Sequence, residues 1–178
     1  MRTWLPAILI ISVVSVLVAV SAEAPPTGTV KLSSPDAEIQ LRDAAGAIFT
    51  VVGTDPGKAL PAGDYSPVAL RIIKRDKDSA DVQHTWVLTA KGPEWGKLAK
   101  VTVVVGQATE LMLGEPITMK APVSQENEYA SIGCSIAGVA GEEYFPAAYK
   151  DGLPLSPPSL EIVDEAGKVL GSGQLAFG

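Results

Sequence analysis

The chain has 178 residues, with 14 Lys and Arg against 20 Asp and Glu and a formal net charge of −6. That length holds one sandwich domain or two small ones. The acidic balance excludes nucleic acid as a partner, because the densest basic cluster, Lys74-Arg75-Asp76-Lys77-Asp78, neutralises itself.

Arg2 supplies one positive charge ahead of a stretch without ionisable groups, Thr3 to Ala22. Its apolar part, Ala7 to Val20, is interrupted only by Ser12 and Ser15. It is shorter than the roughly 20 residues a membrane-spanning helix needs. Val20-Ser21-Ala22 puts small residues where a signal peptidase reads them, and Glu23-Ala24-Pro25-Pro26 follows. A cut after Ala24 would place Pro25 against the scissile bond, so the expected cut follows Ala22. Residues 1–22 are therefore expected to be a signal peptide. The membrane enters only through that leader before cleavage, and the mature protein is expected in the periplasm, on the cell surface or secreted.

The remainder reads as short apolar runs between turn residues, the pattern of an all-β chain. Gly28 to Ser33 is a first strand. Ala37 to Arg42 alternates Ile39 and Leu41 against Glu38, Gln40 and Arg42, turns at Asp43-Ala44-Ala45-Gly46, and returns over Ala47 to Val52. Leu60-Pro61-Ala62-Gly63-Asp64-Tyr65 is a second turn. Val68 to Lys74 and His84 to Ala90 are strands around the charged tip Arg75 to Asp81. Trp86 and Leu88 share an inner face, so Trp86 is expected in the core. Lys100 to Val105 and Ala108 to Leu113 flank Gly106-Gln107 as a two-residue hairpin. The pattern loosens from Gly114 to Glu126, which suggests a boundary.

Beyond it, Tyr129 to Ile136 reads as one strand and Glu142 to Ala148 as another. Leu153 to Pro158 carries three prolines, Pro154, Pro157 and Pro158, and is expected as a surface loop. Leu160 to Asp164 and Val169 to Gly171 close as a hairpin, and a last strand is expected through Leu175 to Phe177. Ala37–Gly46 resembles Leu160–Gly167, each an alternating strand entering a Gly turn. Repeated hairpin chemistry explains this more simply than related modules.

Gly28 to Arg42, the Leu60–Tyr65 turn and the Gly106-Gln107-Ala108-Thr109 segment are similar to exported β-sandwich modules of the PEGA and carboxypeptidase-regulatory-like kind. The resemblance covers residues 27–115. It implies a non-catalytic spacer or binding unit. The expected fold is all-β, an antiparallel β-sandwich of immunoglobulin-like or transthyretin-like type. Two small modules are expected, residues 27–115 and a smaller immunoglobulin-like unit over 116–178.

Several residues invite chemistry. Asp76, Asp78 and Asp81 could suggest calcium, but Ala80 and Asp81 stand where an EF-hand loop needs an acceptor and a Gly. A solvated hairpin tip is expected. Glu142 and Glu143 are neighbours that point to opposite strand faces, so they read as a solvated pair rather than a catalytic dyad. His84 is the one histidine and reads as satisfied or edge-exposed rather than as a metal ligand. Cys134, the one cysteine, has Ile132 and Ile136 on its strand face and reads as an inert apolar side chain, and a lone Cys excludes a disulfide scaffold. Trp95, Tyr144, Phe145 and Tyr149 are the candidates for ligand stacking, as on sugar rings.

The expected function is that of an exported, non-catalytic module that holds an envelope or extracellular macromolecule, protein or polysaccharide. No catalytic residue, cofactor or metal is expected. A carbohydrate-binding module is the second reading and an unrecognised hydrolase the third. N-terminal sequencing of the exported protein is expected to begin at Glu23, and retention of Met1 to Ala22 would refute the leader.

Overall fold

The computed structural model describes residues 24–175 apart from 91, 93, 128 and 146. Residues 1–22 of the expected leader, and Phe177 of the expected last strand, lie outside the described residues. The strands are β1 (Thr27–Leu32), β2 (Ala37–Asp43), β3 (Ile48–Val52), β4 (Lys58–Pro61), β5 (Gly63–Lys77), β6 (Gln83–Thr89), β7 (Val101–Val103), β8 (Ala108–Leu111), β9 (Thr118–Lys120), β10 (Val123–Glu126), β11 (Tyr129–Ile132), β12 (Ser135–Ala137), β13 (Glu143–Tyr144), β14 (Tyr149–Lys150), β15 (Leu153–Pro154), β16 (Ser159–Val163) and β17 (Val169–Gln174). Among the described residues, one 3-10 turn spans Gly96–Ala99. The chain is all-β.

Two sheets sandwich the core. The larger has seven strands in the order β15-β14-β6-β5-β2-β3, with β7 also on β5; the smaller is β4-β1-β8. Pairings in the larger sheet are antiparallel, whereas β8 runs parallel to β1. Alternation builds the inner faces: Ala37, Ile39 and Leu41 of β2 are buried while Arg42 is exposed. Val30 and Leu32 of β1, Leu60 of β4 and Leu111 of β8 close the core from the other side.

The longest strand, β5, begins five residues earlier than its alternation predicts, at Gly63 rather than Val68. Gln40 pairs with Ala69 and Leu41 with Pro67, so Val68 is an extra residue. A bulge of this kind reverses side-chain parity. Tyr65 and Pro67 on one side of it, and Leu70 and Ile72 on the other, therefore all point inward.

The hairpin expected at Gly106-Gln107 is corrected. β7 pairs with β5 in the large sheet and β8 with β1 in the small one, so the chain crosses the end of the sandwich between them. The turn itself forms, with Gln107 N–H donating to Val104 O at 3.1 Å and Gly106 at φ +70°. It is held against β1, where Gly106 N–H donates to Thr27 O at 2.9 Å and Thr29 N–H to Gln107 O at 2.8 Å. Backbone pairing to a third strand outcompetes closure of the local ladder.

The expected single strand 129–136 is likewise two. β11 pairs with β10, and β12 with β9 and β13. The break falls at Gly133, whose N–H donates to Pro122 O at 2.8 Å. The two similar segments share one turn. In each, an aspartate Oδ1 accepts the N–H four residues on, from Asp43 to Ala47 and from Asp164 to Lys168. Gly46 and Gly167 take φ of +89° and +79°. Hairpin chemistry accounts for the likeness.

Pairing crosses position 115/116. β14 lies antiparallel to β6, and Ile136, Ala140 and Tyr144 are in one cluster with Val30, Ile39 and Leu70. The link is Glu142, whose reading as a solvated residue is corrected: it is 0% exposed. Its Oε1 accepts Gly114 N–H at 2.7 Å and Tyr144 O–H at 2.8 Å, and its Oε2 accepts Ala140 N–H at 2.9 Å. Gly138 leaves room for this, since a Cβ there would overlap the carboxylate. Burial, then the Glu142 charge, pushes the Tyr144 hydroxyl well above its usual range, so it stays a donor.

Glu142→Ala would leave three buried donors unpaired and is expected to cost about 3–9 kcal/mol, at roughly 1–3 kcal/mol each. Tyr144→Phe removes one bond to a charged acceptor and is expected to cost about 1.5–3 kcal/mol. Urea denaturation of the three proteins measures both, and equal midpoints would refute the arrangement.

Candidate functional site

Strands β5 and β6 run on beyond the small sheet. Their shared register pairs Ile72 with Leu88, Lys74 with Trp86, and Asp76 with His84. Directly paired residues point to one face, so this row starts at the core and ends in the open. Ile72 is buried, Leu88 packs against the core from a partly buried position, and Lys74 is exposed.

The inner part of the row, Ile72, Leu88, Lys74 and Trp86, is the floor of an apolar groove of about 240 Å³. One wall is Ile117, which follows β8; the other is Ala148 and Leu155, which flank the β14–β15 hairpin. The rim carries an ion pair, Lys74 Nζ to Glu115 Oε1 at 2.7 Å, with both side chains more than half exposed. Hydrogen bonding to Glu115 holds the Lys74 ammonium above its usual range.

Trp86 is therefore corrected from a core residue to a half-buried groove residue. It keeps the expected parity, but the opposing sheet has ended before its position. Its indole N–H donates to Asp76 Oδ1 at 2.9 Å, and Lys150 Nζ lies 4.9 Å from the ring centroid. Trp86 is thus held in orientation by a carboxylate on one strand and a cation on the other.

The four stacking candidates do not form one platform. Tyr144 is 2% exposed and offers no ring face, so its place in that set is corrected. Trp95 is half-buried against the core ahead of the 3-10 turn, which Lys97 N–H fastens to Ala140 O at 2.9 Å. Phe145 and Tyr149 remain 43% and 40% exposed. Tyr149 pairs with Val87 and so lies on the sheet face opposite Trp86.

The hairpin tip is internally satisfied. Asp78 Oδ1 accepts the N–H of Ala80 and of Val82, each at 2.9 Å. Asp81 pairs with Lys77 at 2.7 Å. Among the described residues, no three His, Cys, Asp or Glu side chains are grouped to hold a metal. His84 is satisfied by Asp151 at 2.7 Å and Asp78 at 3.3 Å. Cys134 is half-buried against the core, between β11 and β12 rather than inside one strand.

A second crevice, about 340 Å³, separates the β10–β11 and β16–β17 hairpins. Its lining, from Ala130 and Ile132 to Gly171 and Leu175, holds no charged or aromatic side chain. It lacks the oriented groups found around Trp86.

The groove was missed from sequence because Ile117, Ala148 and Leu155 come from irregular, Pro-rich stretches. One signal was present: Asp151-Gly152 is a hairpin dipeptide. Both residues have positive φ, +52° and +78°, and they join β14 to β15. No protein-family model, curated protein or solved structure matches the chain.

Trp95, the stacking candidate, is expected to matter more to stability than Trp86, the expected core residue. Trp95→Ala should cost about 2–4 kcal/mol through lost core packing, and Trp86→Ala no more than about 1–2 kcal/mol. Urea midpoints measure the difference, and the reverse order would place Trp86 in the core after all.

Proposed function

We propose that this chain is an exported, non-catalytic β-sandwich module of the envelope or secretome. In this reading the groove over Trp86 docks an apolar side chain of a protein partner. The groove carries the proposal: apolar walls meet an oriented indole, with charged groups only at the rim. This is the make-up of a binding pocket. At about 240 Å³ it is smaller than the roughly 300–1,000 Å³ that takes a drug-sized ligand, which favours one anchoring side chain. Export rests on the leader pattern of residues 1–22, and the likeness of residues 27–115 to PEGA-type modules supports a holding role over a catalytic one.

Carbohydrate binding is the second reading. It is favoured by Phe145 and Tyr149, whose rings stay substantially exposed. N-acetyl-leucine amide separates the two. Titrated into labelled protein, it is expected to shift the Trp86 indole N–H resonance and to saturate in the tens of millimolar. Burial of one side chain, roughly 1.5–3 kcal/mol, supplies about that affinity. Absence of any shift at Trp86 would refute the groove. Cello-oligosaccharides that perturb Phe145 and Tyr149 instead would establish the second reading.

A further inference from the structure

The β14–β15 hairpin forms one wall of the groove, yet it is slight. Each strand has two residues, and such a hairpin has little stability of its own. Backbone pairing ties Tyr149 to Val87 and Lys150 to Trp86. Ala148 O accepts Leu155 N–H at 2.9 Å, so the two wall residues move with the hairpin. Past the ladder, Asp151 makes a second attachment with both carboxylate oxygens. Oδ1 accepts Thr85 N–H at 2.8 Å, Oδ2 lies 2.7 Å from His84 Nδ1, and Asp151 N–H donates to Thr85 O at 2.8 Å.

His84 has a carboxylate at each ring nitrogen, since Nε2 lies 3.3 Å from Asp78 Oδ2. Only the imidazolium donates to both. A neutral ring turns a lone pair toward one of the two anions. The surrounding charges favour the cation. Asp76 stands opposite His84 on β5, Lys77 and Asp81 neutralise each other at the tip, and partial burial and then the Lys150 ammonium oppose the cation, both outweighed by the two carboxylates.

We propose that His84 is an acid-dependent latch, which in its protonated form fixes the β14–β15 hairpin as the wall of the groove. The groove is thus formed in mildly acidic medium and loosens in alkaline medium. The effect on binding rests on the docking role proposed for the groove; the latch itself does not.

The titration has the matching sign. Asp151 and then Asp78 raise His84 above its ordinary 6.5. Backbone and His84 hydrogen bonds lower Asp151 and Asp78 below their ordinary 3.8. The latch is complete between those ranges. It is lost as pH rises through the raised value of His84, or as it falls through the lowered values of the acids.

The test is amide exchange at Thr85 and Asp151, corrected for intrinsic rates, at about pH 5.5 and about pH 8.5. Protection is expected to fall about three- to ten-fold at the higher pH. His84→Gln should abolish that dependence. Asp151→Asn, which keeps an acceptor for Thr85 N–H without the charge, should flatten it while the hairpin stays in place. Equal protection at both pH values, or an undiminished dependence in both variants, overturns the latch. The affinity for N-acetyl-leucine amide should fall over the same range by a similar factor, and an unchanged affinity overturns the control of the groove. Failure of the amide to bind at any pH would refute the docking role alone, because exchange reports the latch without a ligand.

Discussion

A buried carboxylate holds the two halves of this chain to one core. Glu142 sits at 0% exposure and gathers donors from the segment after β8, from the Gly138–Gly141 turn and from β13. An ionised group without partners would be far too costly to bury there. With its donors in place, the same group demands one arrangement of three chain segments. Tyr144 and Ala140 are thereby seated in the core, and Glu94 O accepts Glu143 N–H next to them. The path from β13 to β14 then starts at a defined point, which brings Tyr149 and Lys150 to the edge of β6.

The groove is a consequence of unequal sheets. β5 is 15 residues long, whereas β1, the central strand of the opposing sheet, has 6. The inner face of the long strand pair therefore outlasts its cover. Irregular segments supply a partial roof in Ile117, Ala148 and Leu155. They come from opposite sides and do not close, so apolar surface stays reachable beside an oriented tryptophan. Where the roof is thinnest, polar anchors replace packing: Asp76 for the indole, Glu115 for Lys74, and His84 with Asp151 for the hairpin. These exposed contacts add little to global stability. Their weight falls on where a few side chains stand.

The local chemistry of the chain was open to reading. The alternation of Ile39 and Leu41 with charged neighbours places β2, and the Asp-x-x-Gly turns at Asp43 and Asp164 place two hairpins. The Asp151-Gly152 dipeptide carried the same kind of signal but sat among prolines that argued for loop. Other features leave no local signature. The bulge at Val68 breaks period-two alternation within β5 and hides its first turn-side residues. Glu142 bears the same local signature as any exposed glutamate beside a turn, and its three donors lie up to 28 residues away in sequence.

The amino-acid sequence by itself determined the class of structure, because side chains alternate with a period of two wherever a strand forms, and turns need residues that tolerate their backbone angles. It determined which face each side chain shares, so Trp86 was matched with Leu88. Only the tertiary structure decided what each face meets. β7 and β8 part to different sheets because β5 takes the one and β1 the other, strands distant from both in sequence. Trp86 became a groove residue because the opposing sheet stops short of it. Parity is a property of neighbouring residues, whereas burial depends on segments brought in from elsewhere in the chain.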